Sequence, residues 1–228
     1  MVPAAESYGT ANDGVVAVTL GYAHPNPYPT TDSNRSITRN ALIAANPYVN
    51  FAAFDADGDG GLSVNEIHVV IIARGYERSY GGSNTCTPNV WAHRWWLSDT
   101  VPAPTLDGVV VAGNDYNGGY TQAGEWHDDL LNGTCSAGSG QMGTVGVVVH
   151  ELGHDLNWPD LYDTDGSSEG VGEWSIMGTG SWNRNSLTEA AGGTPVLPDA
   201  FLKWYQHWIT PITLTAPQTG VAVPNAAQ

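Results

Sequence analysis

The sequence is short of positive charge: 7 Lys and Arg stand against 23 Asp and Glu, a formal net charge of -16. Nucleic acids are held through phosphates by clustered Lys and Arg, so nucleic-acid binding is excluded as a function class. Anionic membrane surfaces are disfavoured for the same reason. Long hydrophobic runs are missing too. The longest apolar stretches, Val69–Ala73 and Val145–Val149, fall far below the roughly 20 residues that span a bilayer, so no membrane insertion is expected. Cysteine is scarce: only Cys86 and Cys135 occur, neither in a C-x-x-C pair, which excludes a dithiol redox motif and a cysteine-rich zinc module. There is no G-x-S-x-G elbow, no phosphate-binding glycine loop, no internal repeat and no low-complexity tract.

What is present is a globular composition. The chain has 228 residues and is 41% hydrophobic, enough for one large domain or two lobes sharing a cleft. Most of the acidic excess reads as a solubilising surface, except where carboxylates fall into ligand spacing. β-Branched and aromatic runs predict strands over Val15–Leu20, Glu66–Ala73, Trp91–Trp96 and Gly108–Ala112. Ser36 is expected to cap a helix to Ala45, stopped by Asn46-Pro47, and Phe201–Trp208 carries apolar residues at helical spacing. Pro25, Pro27 and Pro29 deny a ladder over 23–35, and the glycine-rich stretches Gly113–Gly124, Gly133–Gly143 and Gly166–Gly180 read as loops. Strands early and a motif helix late give an α+β expectation.

That motif is His150-Glu151-Leu152-Gly153-His154, with Thr144 as the expected N-cap of its helix. Positions i and i+4 share a helix face, so both imidazoles can reach one ion. Zinc held by three protein ligands keeps a position for water and lowers its pKa to about 7. Glu151 is rotated away from the ligands, yet can take a proton from that water and pass it to a leaving amine. Asp160 lies six residues past His154 and is the expected third ligand. For it to return to the metal the chain must turn near Asn157, a residue type that tolerates the left-handed conformation. Glu173, 19 residues after His154, is the rival third ligand, set in glycine-rich surroundings that make poor helix.

A second motif matches all the liganding positions of a twelve-residue EF-hand loop. Asp55, Asp57 and Asp59 supply carboxylates, Gly60 permits the turn, Gly61 offers its carbonyl, and Ser63 and Glu66 close the site. Ile67–Ile72 reads as strand where a paired EF-hand has a helix. The expectation is therefore an isolated calcium loop that stabilises rather than senses; a solvated acidic turn is the alternative. Asp163-Thr164-Asp165-Gly166 is only a fragment of such a pattern and reads as a solvated turn. Calcium of this kind points outside the cell, where disulfides persist. A Cys86–Cys135 bridge is expected over two free thiols, and would remove roughly 4 kcal/mol of unfolded-chain entropy. His93 reads as a satisfied core or cleft histidine, His127 as lying on an exposed loop, and His24 and His68 have no assigned role.

H-E-x-x-H-x-x-N-x-x-D resembles the metzincin signature, in which the turn residue is usually Gly and the third ligand usually His. The fuller run His150–Asp163, with Trp174-Ser175-Ile176-Met177-Gly178 after it, resembles the immune inhibitor A family of secreted bacterial metallopeptidases. More loosely, the resemblance extends from about Phe51 to Trp204. Asn157 stands where that family has glycine. The resemblance implies a zincin fold, with a twisted mixed sheet, an active-site helix and Met177 as a Met-turn beneath the zinc. It also implies extracellular endopeptidase activity and calcium. The expected layout is a catalytic domain over 1–210, with an upper lobe to about 156 and a lower lobe from 157, and a tail over 211–228. Protein or peptide substrates, one catalytic zinc, at least one structural calcium and a monomer complete the expectation. The competing readings are a calcium-stabilised binding module with a structural or vestigial zinc site, and a zinc hydrolase of non-peptide substrates.

Overall fold

A computed structural model describes residues 13–22, 31–81, 85–97, 100–113, 118–128, 140–217 and 219–222. The chain divides into two compact units, Met1–Gly143 and Thr144–Gln228. Pro25, Pro27, Pro29, His24 and Cys135 lie outside the described residues.

The first unit is built on a mixed sheet. Strand β1 (Val70–Glu77) runs parallel to both β2 (Asn89–Val90) and β6 (Tyr120–His127). Strands β3 (His93–Trp95) and β7 (Gln141–Met142) pair antiparallel with β6. Between them in sequence, β4 (Thr105–Leu106) and β5 (Val109–Val110) form a hairpin. Its two turn residues, Asp107 and Gly108, have φ 52° and 94°, the left-handed pair that an Asp-Gly hairpin turn requires.

Strand β6 overturns the last part, Tyr120–Gly124, of the loop expected over Gly113–Gly124. Its buried residues include Thr121 and Gln122, at 0% exposure. These are not surface polar groups. Thr38 Oγ1 donates to Gln122 Oε1 at 3.0 Å, and Gln122 Nε2 donates to Asn34 Oδ1 at 2.9 Å. Gly124 lies where β1 comes close: a Cβ there would sit 2.7 Å from Glu77 N. The Gly124 amide instead donates to Glu77 Oε2 at 2.6 Å. Buried polar pairing thus does here what apolar alternation does in an ordinary strand.

Helix α1 (Thr31–Ala45) begins before the expected Ser36 cap but ends where expected. It buries Asn34, Ile37, Thr38 and Leu42, one helical stripe. The expected strand Val15–Leu20 is irregular instead, with Val15 57% exposed. The strand expected at Glu66 starts later, at Val70, because 64–66 form the turn that closes the acidic loop.

After the short helix α2 (Arg78–Gly81) of the first unit, α3 (Val145–Asp155) in the second unit carries the histidine motif, and α4 (Ala200–Tyr205) is the last helix among the described residues. Thr144 occupies the N-cap of α3 in extended conformation, but its hydroxyl donates to Ala191 O at 2.7 Å rather than capping. Asp199 does cap α4, accepting from Phe201 N and Leu202 N. That helix is shorter than Phe201–Trp208, since His207 is left-handed with φ 58°. Trp158, Ile176, Met177 and Leu202 form the buried cluster of this unit.

Candidate metal centre

His150 and His154 lie one turn apart on α3 with ring planes near perpendicular, 89°. His150 Nδ1 is 2.9 Å from Ile176 O, and His154 Nδ1 is 2.7 Å from Trp158 O. A carbonyl only accepts, so both Nδ1 atoms carry the proton and both Nε2 atoms turn inward. Asp160 Oδ1 meets them, 3.1 Å from His150 Nε2 and 3.4 Å from His154 Nε2. Three ligand atoms thus lie within 4.8 Å of one another.

The local chain explains how Asp160 arrives. Helix α3 unwinds through Leu156 N to Gly153 O and Asn157 N to His154 O, each 3.0 Å. Asn157 has φ 59°, the left-handed turn expected of it. Trp158 N then returns to Gly153 O at 3.1 Å, and Leu161 N is held by Met177 O at 2.8 Å. Met177 is fully buried. A Cβ on Gly153 would stand 2.5 Å from Met177 Sδ and 2.9 Å from Trp158 Cε3, so only glycine leaves room there. Gly153 falls on one of the two unspecified positions of H-E-x-x-H, so the motif does not mark it. A glycine inside a helix costs about 1 kcal/mol against alanine, and that oddity was the available signal.

The electrostatics show what the site wants. Burial pushes both imidazoles down, but the Asp160 carboxylate and the Glu151 charge outweigh it and hold them above their usual value. Burial raises Asp160, yet the two imidazoles hold its carboxyl far below the usual carboxylate range. With neutral rings, two nitrogen lone pairs would face a carboxylate oxygen, and only a cation or added protons can relieve that. Two imidazole nitrogens, each backed by a carbonyl, and one carboxylate oxygen form a donor set that suits zinc. Glu151 is buried on the same helix. Glu173 is exposed in a short 3-10 turn and stands outside the cluster.

The acidic loop has a different character. Asp55, Asp57 and Asp59 bring carboxylate oxygens within 4.8 Å of one another. Asp55 accepts from Gly58 N at 2.9 Å and Gly60 N at 3.3 Å, Asp57 from Asp59 N at 3.1 Å, and Asp59 from Gly61 N at 2.8 Å. Glu66 spans the loop, taking Ala56 N at 2.7 Å on one oxygen and Ser63 N and Oγ, each at 2.9 Å, on the other. These hydrogen bonds, led by Ser63, hold the Glu66 carboxyl down at about 2. Leu62 N to Val110 O, 3.0 Å, and Val110 N to Gly60 O, 2.9 Å, tie the loop to β5. A turn and then β1 follow it, so the helix of a paired EF-hand is absent from the described residues there.

Among the other singled-out residues, His93 is buried between Trp91 O (2.6 Å) and Tyr120 Oη (3.0 Å), as a core histidine should be. His127 is not on an exposed loop: it ends β6, fully buried and stacked on Tyr80 at 4.2 Å. Its strand was the one misread as loop. His68 is exposed. Cys86 is buried, and no cysteine among the described residues is free.

A family model described as Immune inhibitor A peptidase M6, catalytic domain, matches residues 32–209. The chain belongs to this family. Among relatives, Immune inhibitor A of Bacillus thuringiensis subsp. alesti is 31% identical over 173 residues, covering 71% of this chain and 23% of that protein. The pre-pro-metalloprotease PrtV of Vibrio cholerae serotype O1 (strain M66-2) is 30% identical over 204 residues, 82% of this chain and 20% of that protein. The chain therefore spans about a quarter or less of the length of these curated M6 relatives. His150, His154, Asp160 and the acidic loop all fall inside the stretch matched by the M6 family. Among the described residues no helix is long and apolar enough to cross a membrane.

Proposed function

We propose that this chain is a secreted, zinc-dependent endopeptidase domain of metzincin type that hydrolyses protein or peptide substrates as a monomer. The observation that carries the reading is the convergence of His150 Nε2 and His154 Nε2 on Asp160 Oδ1, with both Nδ1 atoms already committed to carbonyls. His150, His154 and Asp160 would hold the metal, and buried Met177 would form the apolar floor beneath it. When bound, zinc supplies a Lewis acid that polarises a peptide carbonyl and acidifies water. Glu151 then acts as general base, taking the proton of the attacking water and delivering it to the leaving amine. Its burial keeps that carboxylate short of competing solvent.

In the same reading, Asp55, Asp57, Asp59, the Gly61 carbonyl, Ser63 and Glu66 hold a calcium ion that stiffens the loop against β5. A Cys86–Cys135 disulfide fits the extracellular setting. The test incubates the protein with an unfolded protein substrate in saturating calcium, with and without a zinc chelator, beside Glu151→Ala. Cleavage that needs zinc, and a variant that binds one equivalent of zinc but does not cleave, are expected. A cleaving Glu151→Ala variant would sink the mechanism.

A further inference from the structure

Gln206 belongs to neither motif and lies 50 residues past Leu156 in the chain, yet its side-chain Nε2 donates to Leu156 O at 2.5 Å. A carbonyl only accepts, so the amide presents its nitrogen there. Leu156 is the C-cap of α3, where the last carbonyls need partners from outside the helix. Gln206 is itself the C-cap of α4. Each helix is then followed by a left-handed residue, Asn157 with φ 59° and His207 with φ 58°. The two turns meet again just past those residues, where the rings of Trp158 and Trp208 stand edge to face, centroids 5.6 Å apart and planes at 75°. Helix α4 is anchored beneath this contact, since Leu202 is buried with Trp158, Ile176 and Met177.

We infer that Gln206 is a positioning residue for the metal centre: its bond to Leu156 O holds the turn that sets Trp158 O against His154 and delivers Asp160 to the two imidazoles. This rests on the zinc reading above. The turn carries two of the centre's constraints at once. Trp158 O fixes the His154 ring through Nδ1 at 2.7 Å, and Asp160, two residues on, reaches both Nε2 atoms. The peptide plane leading into Asn157 is the pivot. Its N–H is held by His154 O at 3.0 Å, and its carbonyl, that of Leu156, is held by Gln206. Left-handed backbone costs a non-glycine residue free energy, so contacts from outside the turn must favour it. A direct partner of a ligand is typically worth about 10- to 100-fold in metal affinity; Gln206 stands one bond further out, which puts its expected effect at the low end, about 10-fold.

The experiment measures zinc affinity by competition with a chromogenic chelator in the metal-stripped chain, for the parent, Gln206→Met, Gln206→Lys and His154→Ala. Melting temperatures of the metal-free proteins are taken alongside. Gln206→Met keeps the length and loses the donor, and its zinc Kd should rise about 10-fold. Gln206→Lys returns an N–H donor to the same reach and should recover most of that loss at high ionic strength, which screens its added charge. Gln206→Ala, which deletes the amide and adds no apolar chain, carries the same test if Gln206→Met does not fold. A variant without the donor that binds zinc as tightly as the parent overturns the inference; a lowered melting temperature in it would then mean that the bond serves only the fold. Gln206→Lys as weak as Gln206→Met overturns it too, since the donor would not be what matters. If the parent and His154→Ala bind zinc alike, the zinc reading itself has failed, an outcome separate from any behaviour of Gln206.

Discussion

The acidic loop and the histidine centre both gather ligand-type side chains, yet they differ in what already satisfies them. Around Asp55–Glu66, backbone amides donate to the carboxylates of Asp55, Asp57, Asp59 and Glu66. At His150, His154 and Asp160 the rings spend their N–H groups on the carbonyls of Ile176 and Trp158 and turn acceptors toward a carboxylate. The loop can hold its shape unaided, and a cation adds to it. The histidine centre balances its charges only with a cation or added protons. A motif's residue types thus do not say how far a site depends on its ion; the hydrogen-bond partners do.

Predictions follow this contrast from large effects to small. Glu151→Gln should lower kcat by about 10²- to 10⁴-fold while one equivalent of zinc stays bound. Glu66→Gln, at saturating calcium, should leave kcat near the parent and lower the melting temperature instead. Matched assays of both variants check this; a Glu66→Gln variant that loses kcat at full fold would break the contrast.

Histidines sharpen it further, because the same side chain shifts in opposite directions in the two units. Burial takes His93 and His127 down to about 4, whereas the carboxylates at the metal centre win over burial and raise His150 and His154. An unfolded chain takes up a proton near pH 6.5, but buried His93 does so only near 4. Stability from this group is therefore present above pH 6.5 and is lost as pH falls toward 4, a change on the order of 3 kcal/mol. Glu77 works in the other sense, since burial raises its carboxyl and protonation then favours the fold. His93→Gln separates the two: its melting temperature should fall less than the parent's between pH 7 and 4.5. Equal slopes would contradict the assignment.

Calcium at about 100 times its Kd should add about 2.7 kcal/mol to the unit that holds the loop. An unchanged calorimetric midpoint after chelation would leave the loop a solvated turn. Smallest is the turn itself. Asn157→Val at φ 59° should cost about 1–2 kcal/mol, and Asn157→Gly should be neutral or stabilising, both read by thermal unfolding.

The parts legible in the sequence were the local ones. Two histidines four apart, an acidic loop with its closing glutamate and a left-handed asparagine each depend on a few neighbouring residues. Strand β6 was not legible, because Gln122 and Gly124 look like loop until Asn34, Thr38 and Glu77 are brought to them from elsewhere in the chain. Val15–Leu20 failed the opposite way, with strand-forming residues that take no regular strand conformation. Gly153 carries its role only in three dimensions, through Met177 and Trp158.

The central claim is that His150, His154 and Asp160 together take one zinc ion. Zinc stoichiometry by equilibrium dialysis, with calcium saturating so that the acidic loop is filled, tests it most directly in the parent, His154→Ala and Asp160→Ala. One equivalent in the parent, with at least a hundredfold weaker binding in His154→Ala and a clear weakening in Asp160→Ala, is the predicted result. Zinc bound equally well by all three proteins would contradict it.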